Sequence, residues 1–189
     1  MSNFTVINDA CVLYPAPLRD LLIRFAQTRR FRARWTADIH REWIDALLRA
    51  RKDLERGQLE KIVDLMNMAV PGSMVSDYEP LIDSLALPDP DDRHVLAAAI
   101  RCGAAAIITA NLKDFPKEVL APYEILAIHP DDFIMDLTDL EPQLLEIVAK
   151  EQRAVLSNPP VSAADFIDTL ERHGLPQVAA FLRERVDLI

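Results

Sequence analysis

The stretch PDPDDRHVLAAAIRCGAAAIITANLKDF, Pro88–Phe115, constrains the fold of this chain more than any other. At its start, Asp89 suits a helix N-cap and Pro90 suits the first helical turn. An alanine-rich apolar segment then runs to Gly103, a residue typical of a helix C-cap. The apolar run Ala104–Thr109 is typical of a strand covered on both faces. The stretch therefore predicts a helix whose acidic start lies at one end of a buried strand.

Polar residues surround this predicted helix–strand unit. Thr109, Asn111 and Asp114 directly follow the strand, and Asp92 lies at the start of the helix. In open α/β sheets the functional crevice lies beyond the carboxyl ends of the strands, so we expect these side chains to point into it. Acidic residues in a first helical turn also satisfy free N–H groups without any chemistry. The stretch by itself therefore leaves capping and function open.

The remainder of the first part of the chain alternates between strands and helices. FTVIN, Phe4–Asn8, predicts a short strand, and Asp9 follows it directly. Thr36 is a suitable N-cap for a helix that carries Glu42 near the edge of its apolar stripe. Alternation up to about Leu137 predicts an α/β fold, with a mainly parallel central sheet flanked by helices.

The last part of the chain shows helical patterns only. Thr138 and Glu141 have the spacing of a capping box before the apolar segment Leu144–Leu156. We therefore predict two units, an α/β domain over residues 1–137 and an all-helical C-terminal extension over residues 138–189. The extension is interpreted as an appendage that stabilises the domain, as a surface for an oligomer or a partner, or as a flap over the active-site groove, and we favour the structural or partner role.

Composition limits the compartment and the class of protein. The chain has 189 residues, half of them hydrophobic, which is enough for one ordinary domain with a small appendage. Its two cysteines, Cys11 and Cys102, lack metal-type spacing and suggest small core residues in a reducing compartment. The sequence has no signal-peptide pattern and no run of membrane-spanning length. We expect a soluble, cytoplasmic protein with no membrane partner.

Four acidic positions occupy related places in this predicted fold. Asp9 and Asp114 each follow a strand, whereas Glu42 and Asp92 lie on helices. Carboxylates gathered without Cys or His suit hard cations such as Mg²⁺ or Mn²⁺. Such ions activate water and stabilise the charge that develops on a phosphate. Without a cation the clustered carboxylates would repel one another and raise one another's pKa, so the pattern favours a metal site.

Four segments of the chain, taken in order, resemble the motifs of the PIN-domain ribonucleases, and more narrowly those of the bacterial VapC-type toxins. They are VINDACVL at Val6–Leu13, the helix around Glu42–Trp43, DPDDRHVLAAAI at Asp89–Ile100, and IITANLKDFP at Ile107–Pro116. The resemblance covers roughly residues 4–137. It implies a compact sheet flanked by helices and a metal-dependent endonuclease that acts on RNA.

The resemblance also implies roles for individual residues. Asp9, Glu42 and Asp92 map onto the acidic metal ligands of the family, and Thr109 would be a supporting hydroxyl. At the fourth acidic position the family often has an acid where this chain has Asn111, with Asp114 three residues further on. Both therefore stay candidates for that position. The family further implies a cognate antitoxin protein as partner and a homodimer.

The charge distribution suggests where an RNA chain would bind. The net charge is −9, but residues 19–61 hold twelve Lys and Arg against seven Asp and Glu. A basic strip would offset the repulsion between an acidic metal site and a phosphate backbone. We predict that Arg30, Arg32 and Arg34 track the RNA backbone beside the metal site without reading bases.

Two other functions deserve comparison with a ribonuclease. A metal-dependent phosphatase of the haloacid dehalogenase type would need an aspartate two residues after Asp9, where this chain has Cys11. A catalytically silent PIN-like binding module would have no use for the acids at Asp9, Glu42 and Asp92. The sequence therefore favours the ribonuclease over both.

Overall fold

A parallel four-stranded sheet forms the centre of the computed structural model, which describes residues 4–189. Its strands lie in the order β2-β1-β3-β4. Their bounds are β1 Thr5–Asn8, β2 Arg32–Arg34, β3 Ala106–Ile108 and β4 Leu126–Ile128. All three strand pairs are parallel, which confirms the predicted α/β class.

The two central strands bring the polar residues that follow them to one edge of the sheet. β1 and β3 pair in the register that places Asn8 opposite Ile108. The ladder continues past both strands, because the Asp9 amide donates to the Ile108 carbonyl and the Thr109 amide to the Ile128 carbonyl, both at 3.0 Å. Asp9 and Thr109 therefore emerge side by side at the carboxyl edge of the sheet.

Eleven α-helices among residues 4–189 cover the sheet and form the C-terminal extension. In chain order they are α1 Ala10–Leu13, α2 Ala16–Gln27, α3 Ala37–Ala50, α4 Arg56–Ala69, α5 Glu79–Ile82, α6 Arg93–Cys102, α7 Lys117–Leu120, α8 Pro130–Leu140, α9 Pro142–Ala154, α10 Ala163–Arg172 and α11 Pro176–Arg183. Three-residue 3₁₀ turns lie at 90–92, 112–114, 121–123 and 186–188.

The acidic start predicted for the central helix is a 3₁₀ turn, Pro90–Asp92, and α6 itself begins at Arg93. The Asp89 carboxylate accepts from the Asp91 amide at 2.9 Å and caps this turn, as predicted. The helix ends as predicted at Gly103, whose φ of +62° places it in the left-handed region that glycine adopts without strain. Tightening the first turn into 3₁₀ geometry places Asp92 at the junction with α6.

The helix that carries Glu42 agrees with its prediction at both ends. The Thr36 hydroxyl accepts from the Ile39 amide at 3.1 Å and caps α3. Ile39 and Trp43 are buried against the core, and Glu42 is half-buried at the edge of that stripe. This amphipathic pattern fixes the rotation of α3 and turns Glu42 toward α6.

The predicted capping box at Thr138 is wrong. Thr138 lies inside α8, where its hydroxyl donates to the Ile134 carbonyl at 2.7 Å. Glu141 is the N-cap residue of α9, and Pro142 occupies the first turn of that helix. The apolar face of α8 is buried up to Leu137, and this packing carries the helix past the position at which local spacing predicts a new start. The predicted boundary between residues 137 and 138 thus falls within a continuous helix.

The C-terminal helices pack on the α/β domain through both apolar and polar contacts. Phe133 of α8 meets Phe31 edge to face, with ring centroids 4.9 Å apart. Gln152 of α9 donates from Nε2 to the Pro17 carbonyl at 2.8 Å. The buried Asp131 carboxylate of α8 accepts from the amide of Val178 at 3.0 Å and so caps α11. None of the helices found in residues 4–189 has the length and apolar character needed to cross a membrane.

Candidate active site

Asp9 is the most deeply buried of the predicted site acids, with 4% of its surface exposed. Oδ1 accepts from the Ala10 amide at 2.6 Å, which caps α1. Oδ2 accepts from the Thr109 hydroxyl at 2.8 Å and from the Cys11 thiol at 3.0 Å. Burial raises the pKa of Asp9 in spite of these hydrogen bonds. A cation beside this carboxylate would offset the cost of its burial.

Asp92 lies close enough to the other acids for their charges to perturb it. Burial raises the pKa of Asp92 to about 7, and repulsion from neighbouring carboxylates adds to the effect. Those neighbours are Asp9, Asp89, Asp114 and Glu42. The charges of Asp9, Glu42 and Asp114 therefore all act on Asp92, although these four acids come from segments up to 105 residues apart.

Glu42 is held by a residue that the sequence analysis did not single out. His94 Nε2 lies 2.8 Å from Glu42 Oε1, and this contact joins α6 to α3. Burial alone lowers the pKa of His94, but the hydrogen bond to Glu42 and the charge of nearby acids outweigh it, so that the pKa is raised. Nδ1 of His94 is buried and has no hydrogen-bond partner within residues 4–189. The only sequence signal was the position of His94 two residues after Asp92.

Cys11 packs against the core, as predicted, and it also takes part in the site. Cys11 is half-buried; its thiol donates to Asp9 and lies 3.4 Å from the Thr109 hydroxyl. Burial and the charge of Asp9 raise the pKa of Cys11 to about 12. The thiol therefore keeps its proton at neutral pH and serves Asp9 as a hydrogen-bond donor.

A cavity of about 520 Å³ opens in front of these acids. Asp9, Glu42, Asp92 and Asn111 are among its lining residues, and Arg49 of α3 also lines it. The walls of the cavity also include Ala10, Cys11, Tyr14, Trp43, Asp45, Ala46 and Asp91. The structure thus brings together the three predicted metal ligands and Asn111 around one accessible space.

The two candidates for the fourth acidic position have different placements. Asn111 is exposed and lines the cavity, and its backbone amide donates to the Thr109 hydroxyl at 3.0 Å. Asp114 closes the following 3₁₀ turn and does not line the cavity, but its charge contributes to the raised pKa of Asp92. Thr109 is fully buried beneath the site, where it connects Asp9 to the backbone after β3.

The carboxylates of the site are ligands of the kind that a hard cation prefers, but they do not converge on a single metal position. Within residues 4–189, no three His, Cys, Asp or Glu side chains stand close enough together to form a metal site as placed. Both oxygens of Asp9 already accept hydrogen bonds, and Glu42 Oε1 is engaged by His94. The carboxylates of Asp9, Glu42 and Asp92, which line the cavity, are the oxygen ligands that Mg²⁺ and Mn²⁺ prefer.

The three predicted RNA-binding arginines are not among the residues that line the acidic cavity. Arg32 and Arg34, together with Arg29, line a separate cavity of about 500 Å³ that shares no lining residue with the acidic one. Arg30 precedes β2 at the amino end of that strand, and its Nη2 pairs with Glu141 Oε2 at 2.5 Å. Because the strands are parallel, residues that precede a strand and residues that follow one occupy opposite edges of the sheet. Arg49, on α3, is the arginine that lines the acidic cavity.

Comparison with known proteins agrees with this geometry. The PIN domain family model matches residues 5–113, and the VapC50 C-terminal domain model matches residues 130–184. A curated protein of Mycobacterium tuberculosis (strain ATCC 25618 / H37Rv), named "Putative ribonuclease VapC50", is 44% identical over 92 residues. That alignment covers 49% of this chain and 54% of that protein, so the chain spans about half the length of the curated relative it matches.

No solved structure matches the chain. The PIN domain match, however, covers more than half of the 189 residues and contains Asp9, Glu42, Asp92, Thr109 and Asn111. It coincides with the unit that holds the whole parallel sheet apart from β4. The chain belongs to the PIN-domain family.

Proposed function

We propose that this protein is a metal-dependent endoribonuclease and the toxin component of a toxin–antitoxin pair. The observation that carries the proposal is the Asp92 carboxyl group, whose pKa is raised to about 7 and which is surrounded by Asp9, Glu42 and Asp114 beside an open cavity. Strongly perturbed carboxyl groups in a cleft are typical of functional sites. The similarity to a relative named as a ribonuclease supports the same activity.

Asp9, Glu42 and Asp92 would hold the metal ion, Mg²⁺ or Mn²⁺. When bound, such an ion supplies an activated water and stabilises charge on a phosphodiester. Thr109 and Cys11 orient the Asp9 carboxylate by donating to Oδ2. Asn111, on the cavity wall, would orient a phosphate or a water through its amide. In this proposal Asp114 contributes by its charge, from outside the cavity.

Substrate binding has to overcome the negative charge of the site. Arg49 lines the acidic cavity and would attract the RNA backbone directly. Arg32 and Arg34, in their separate cavity, would contact the RNA backbone further along the chain, and Arg30 would do so at the cost of its pair with Glu141. Such phosphate contacts add affinity without reading bases.

We also propose the setting in which the nuclease acts. In the cytoplasm, a cognate antitoxin protein would hold it inactive by covering the groove, and two copies would form a homodimer. We propose that the chain divides into a nuclease domain, residues 1–137, and a helical extension, residues 138–189, with α8 as the helix that spans the junction. The hydrogen bond from Gln152 of the extension to the Pro17 carbonyl of the nuclease domain supports a stabilising role for these helices.

The alternative with an observation in its favour is a catalytically silent PIN-like binding module. Its support is that no three potential ligand side chains in residues 4–189 form a closed metal site. The buried Asp9 and the raised pKa of Asp92 favour the nuclease, because a module without a cation would gain stability by losing these carboxylates. A phosphatase of the haloacid dehalogenase type has no second aspartate at position 11.

A cleavage assay with the full-length chain distinguishes these functions. We expect cleavage of RNA with Mg²⁺ or Mn²⁺ and none in EDTA. Asp9→Asn and Asp92→Asn should abolish cleavage, whereas Asp139→Asn, at an exposed position of α8, should cleave at the wild-type rate. Cleavage by Asp92→Asn at the wild-type rate would exclude the proposed site. RNA binding without cleavage under every metal condition would favour the silent module.

A further inference from the structure

We propose that His94 is a positioning residue, which holds Glu42 in place as a metal ligand by donating a hydrogen bond from Nε2 to Oε1. The inference rests on the proposed function, because it gives a role to a residue behind the proposed metal site. The 2.8 Å contact joins the second residue of α6 to the middle of α3, 52 positions apart in the chain.

The placement of His94 separates it from the substrate space. It does not line the cavity that contains Asp9, Glu42 and Asp92. His94 comes two residues after Asp92, and residues at that spacing point to different sides of a helical turn. Asp92 therefore faces the cavity, whereas His94, with 8% of its surface exposed, reaches α3 from within the fold. It acts on the site only through Glu42.

Glu42 needs such a support more than Asp9 does. Asp9 is fixed by three hydrogen bonds from its own end of the sheet, and 4% of its surface is exposed. The Glu42 side chain is 39% exposed and has one more rotatable bond than an aspartate. Its contact with His94 is the hydrogen bond that fixes it among the described residues. Without that bond the carboxylate would sample several rotamers in solvent, and metal binding would have to order it.

The hydrogen-bonding pattern of the imidazole identifies the donor. Nδ1 is buried with no partner, so a proton there would be an unsatisfied buried donor. The neutral tautomer that satisfies the site best carries its proton on Nε2, facing Glu42 Oε1. Oε1 is thereby engaged by the protein, and Oε2 is the oxygen that Glu42 has left to offer a cation. This arrangement favours binding of the cation by one oxygen of Glu42.

A pair of amide substitutions tests the role of this single donor. The amide nitrogen of a glutamine reaches about as far as Nε2 of histidine, whereas that of an asparagine reaches only as far as Nδ1. Mn²⁺ affinity of the full-length protein, measured by calorimetry without RNA, should fall about 10-fold or more in His94→Asn. His94→Gln should retain most of the affinity. If H94N does not fold, as judged by circular dichroism, His94→Leu replaces it, because leucine fills a similar volume without a donor.

A double-mutant cycle shows whether His94 acts through Glu42. Glu42→Gln should weaken Mn²⁺ binding, and adding H94N to it should cause no further loss, because the partner is already altered. Equal affinity of H94N and wild type would overturn the inference, as would an additional 10-fold loss in the E42Q background. Those results would leave the metal site intact. Failure of the wild-type protein to bind Mn²⁺ would instead refute the proposed function itself.

Discussion

The Thr109 hydroxyl donates a 2.8 Å hydrogen bond to Oδ2 of Asp9, across the carboxyl ends of two neighbouring strands. Thr109 has no exposed surface and Asp9 almost none. The same hydroxyl accepts from the Asn111 amide at 3.0 Å. One buried hydroxyl therefore connects the deepest acid of the site to the loop that forms its rim.

Replacing Thr109 by valine should remove this hydrogen bond and keep the packing, because valine has the shape of threonine but no hydroxyl. The loss leaves a buried carboxylate with one donor fewer, so we expect the free energy of unfolding to fall by about 1–2 kcal/mol. RNA cleavage should slow as well, because Asp9 is then held less firmly. Thr109→Ser keeps the hydroxyl and should cleave faster than Thr109→Val. Urea denaturation and a cleavage assay measure both effects, and equal rates for the two variants would show that the hydroxyl does not orient Asp9.

Substituting Asp92 should stabilise the metal-free protein at alkaline pH. The pKa of Asp92 is about 7 in the folded state, against an ordinary value of 3.8. The folded state therefore binds this proton more tightly, and the wild type loses stability as pH rises from about 4 to about 7. Asparagine carries no such proton. In EDTA we expect Asp92→Asn to gain about 1–2 kcal/mol at pH 8 and nothing below pH 4.

The matched control for this experiment is Asp139→Asn, which replaces an exposed carboxylate on α8. Thermal melts of the wild type, Asp92→Asn and Asp139→Asn between pH 3.5 and pH 8 provide the measurement. A gain for D92N that is equal at pH 3.5 and pH 8 would contradict the assignment, because the effect would then not come from the carboxyl charge.

His40 should make the folded state less stable as pH falls, whereas Asp92 makes it less stable as pH rises. Burial lowers the pKa of His40 to about 4 from an ordinary value of 6.5. The unfolded chain takes up this proton first as pH falls, so the wild type should lose about 3 kcal/mol of stability between about pH 6.5 and pH 4. His40→Asn can keep the hydrogen bond that Nδ1 accepts from Trp43 Nε1, at 3.0 Å, without titrating. The unfolding free energy of His40→Asn should vary less over that pH range. If it varied with pH as steeply as that of the wild type, the acid sensitivity would come from other groups.

The basic residues fall into two sets that can be tested separately. Charge-neutral substitution of Arg30, Arg32 and Arg34 together should weaken binding similarly for all RNA sequences and lower the salt slope of log K by about 2. Arg49→Gln, beside the acidic cavity, should lower cleavage of bound RNA as well, because it lies next to the proposed reaction site. Filter binding at several salt concentrations measures the first effect, and single-turnover cleavage the second. A triple variant with wild-type affinity and salt slope would show that the strip is a solvated face.

Self-association is a further prediction. We expect a homodimer, and several large apolar side chains are exposed among the described residues, including Leu65 at 60% and Met68 at 67% on α4. Exposed apolar patches of this kind are typical of interaction surfaces. Light scattering at micromolar concentration should give twice the chain mass. A fully active monomer under those conditions would contradict the prediction.

Short-range patterns are sufficient to predict the local elements and to identify the acids. Thr36 and Gly103 bound helices where their short-range chemistry requires it, and the apolar runs at β1 and β3 predict buried parallel strands. These features depend on residues a few positions apart, for which propensity and capping are sufficient. Asp9 and Asp92 could be selected for the same reason, because each lies at the end of a recognisable element.

Which distant groups meet depends on the packing of the helices on the sheet. His94 and Glu42 lie 52 residues apart, and the packing of α6 beside α3 makes them partners. Cys11 became a donor to Asp9, Asn111 rather than Asp114 reached the cavity, and Arg30 turned to Glu141 at the opposite edge. Thr138 has the spacing of a cap, yet burial of the α8 face keeps it inside a helix. Burial and long-range contacts add energies larger than a local preference, and they are set by the packing of the whole chain.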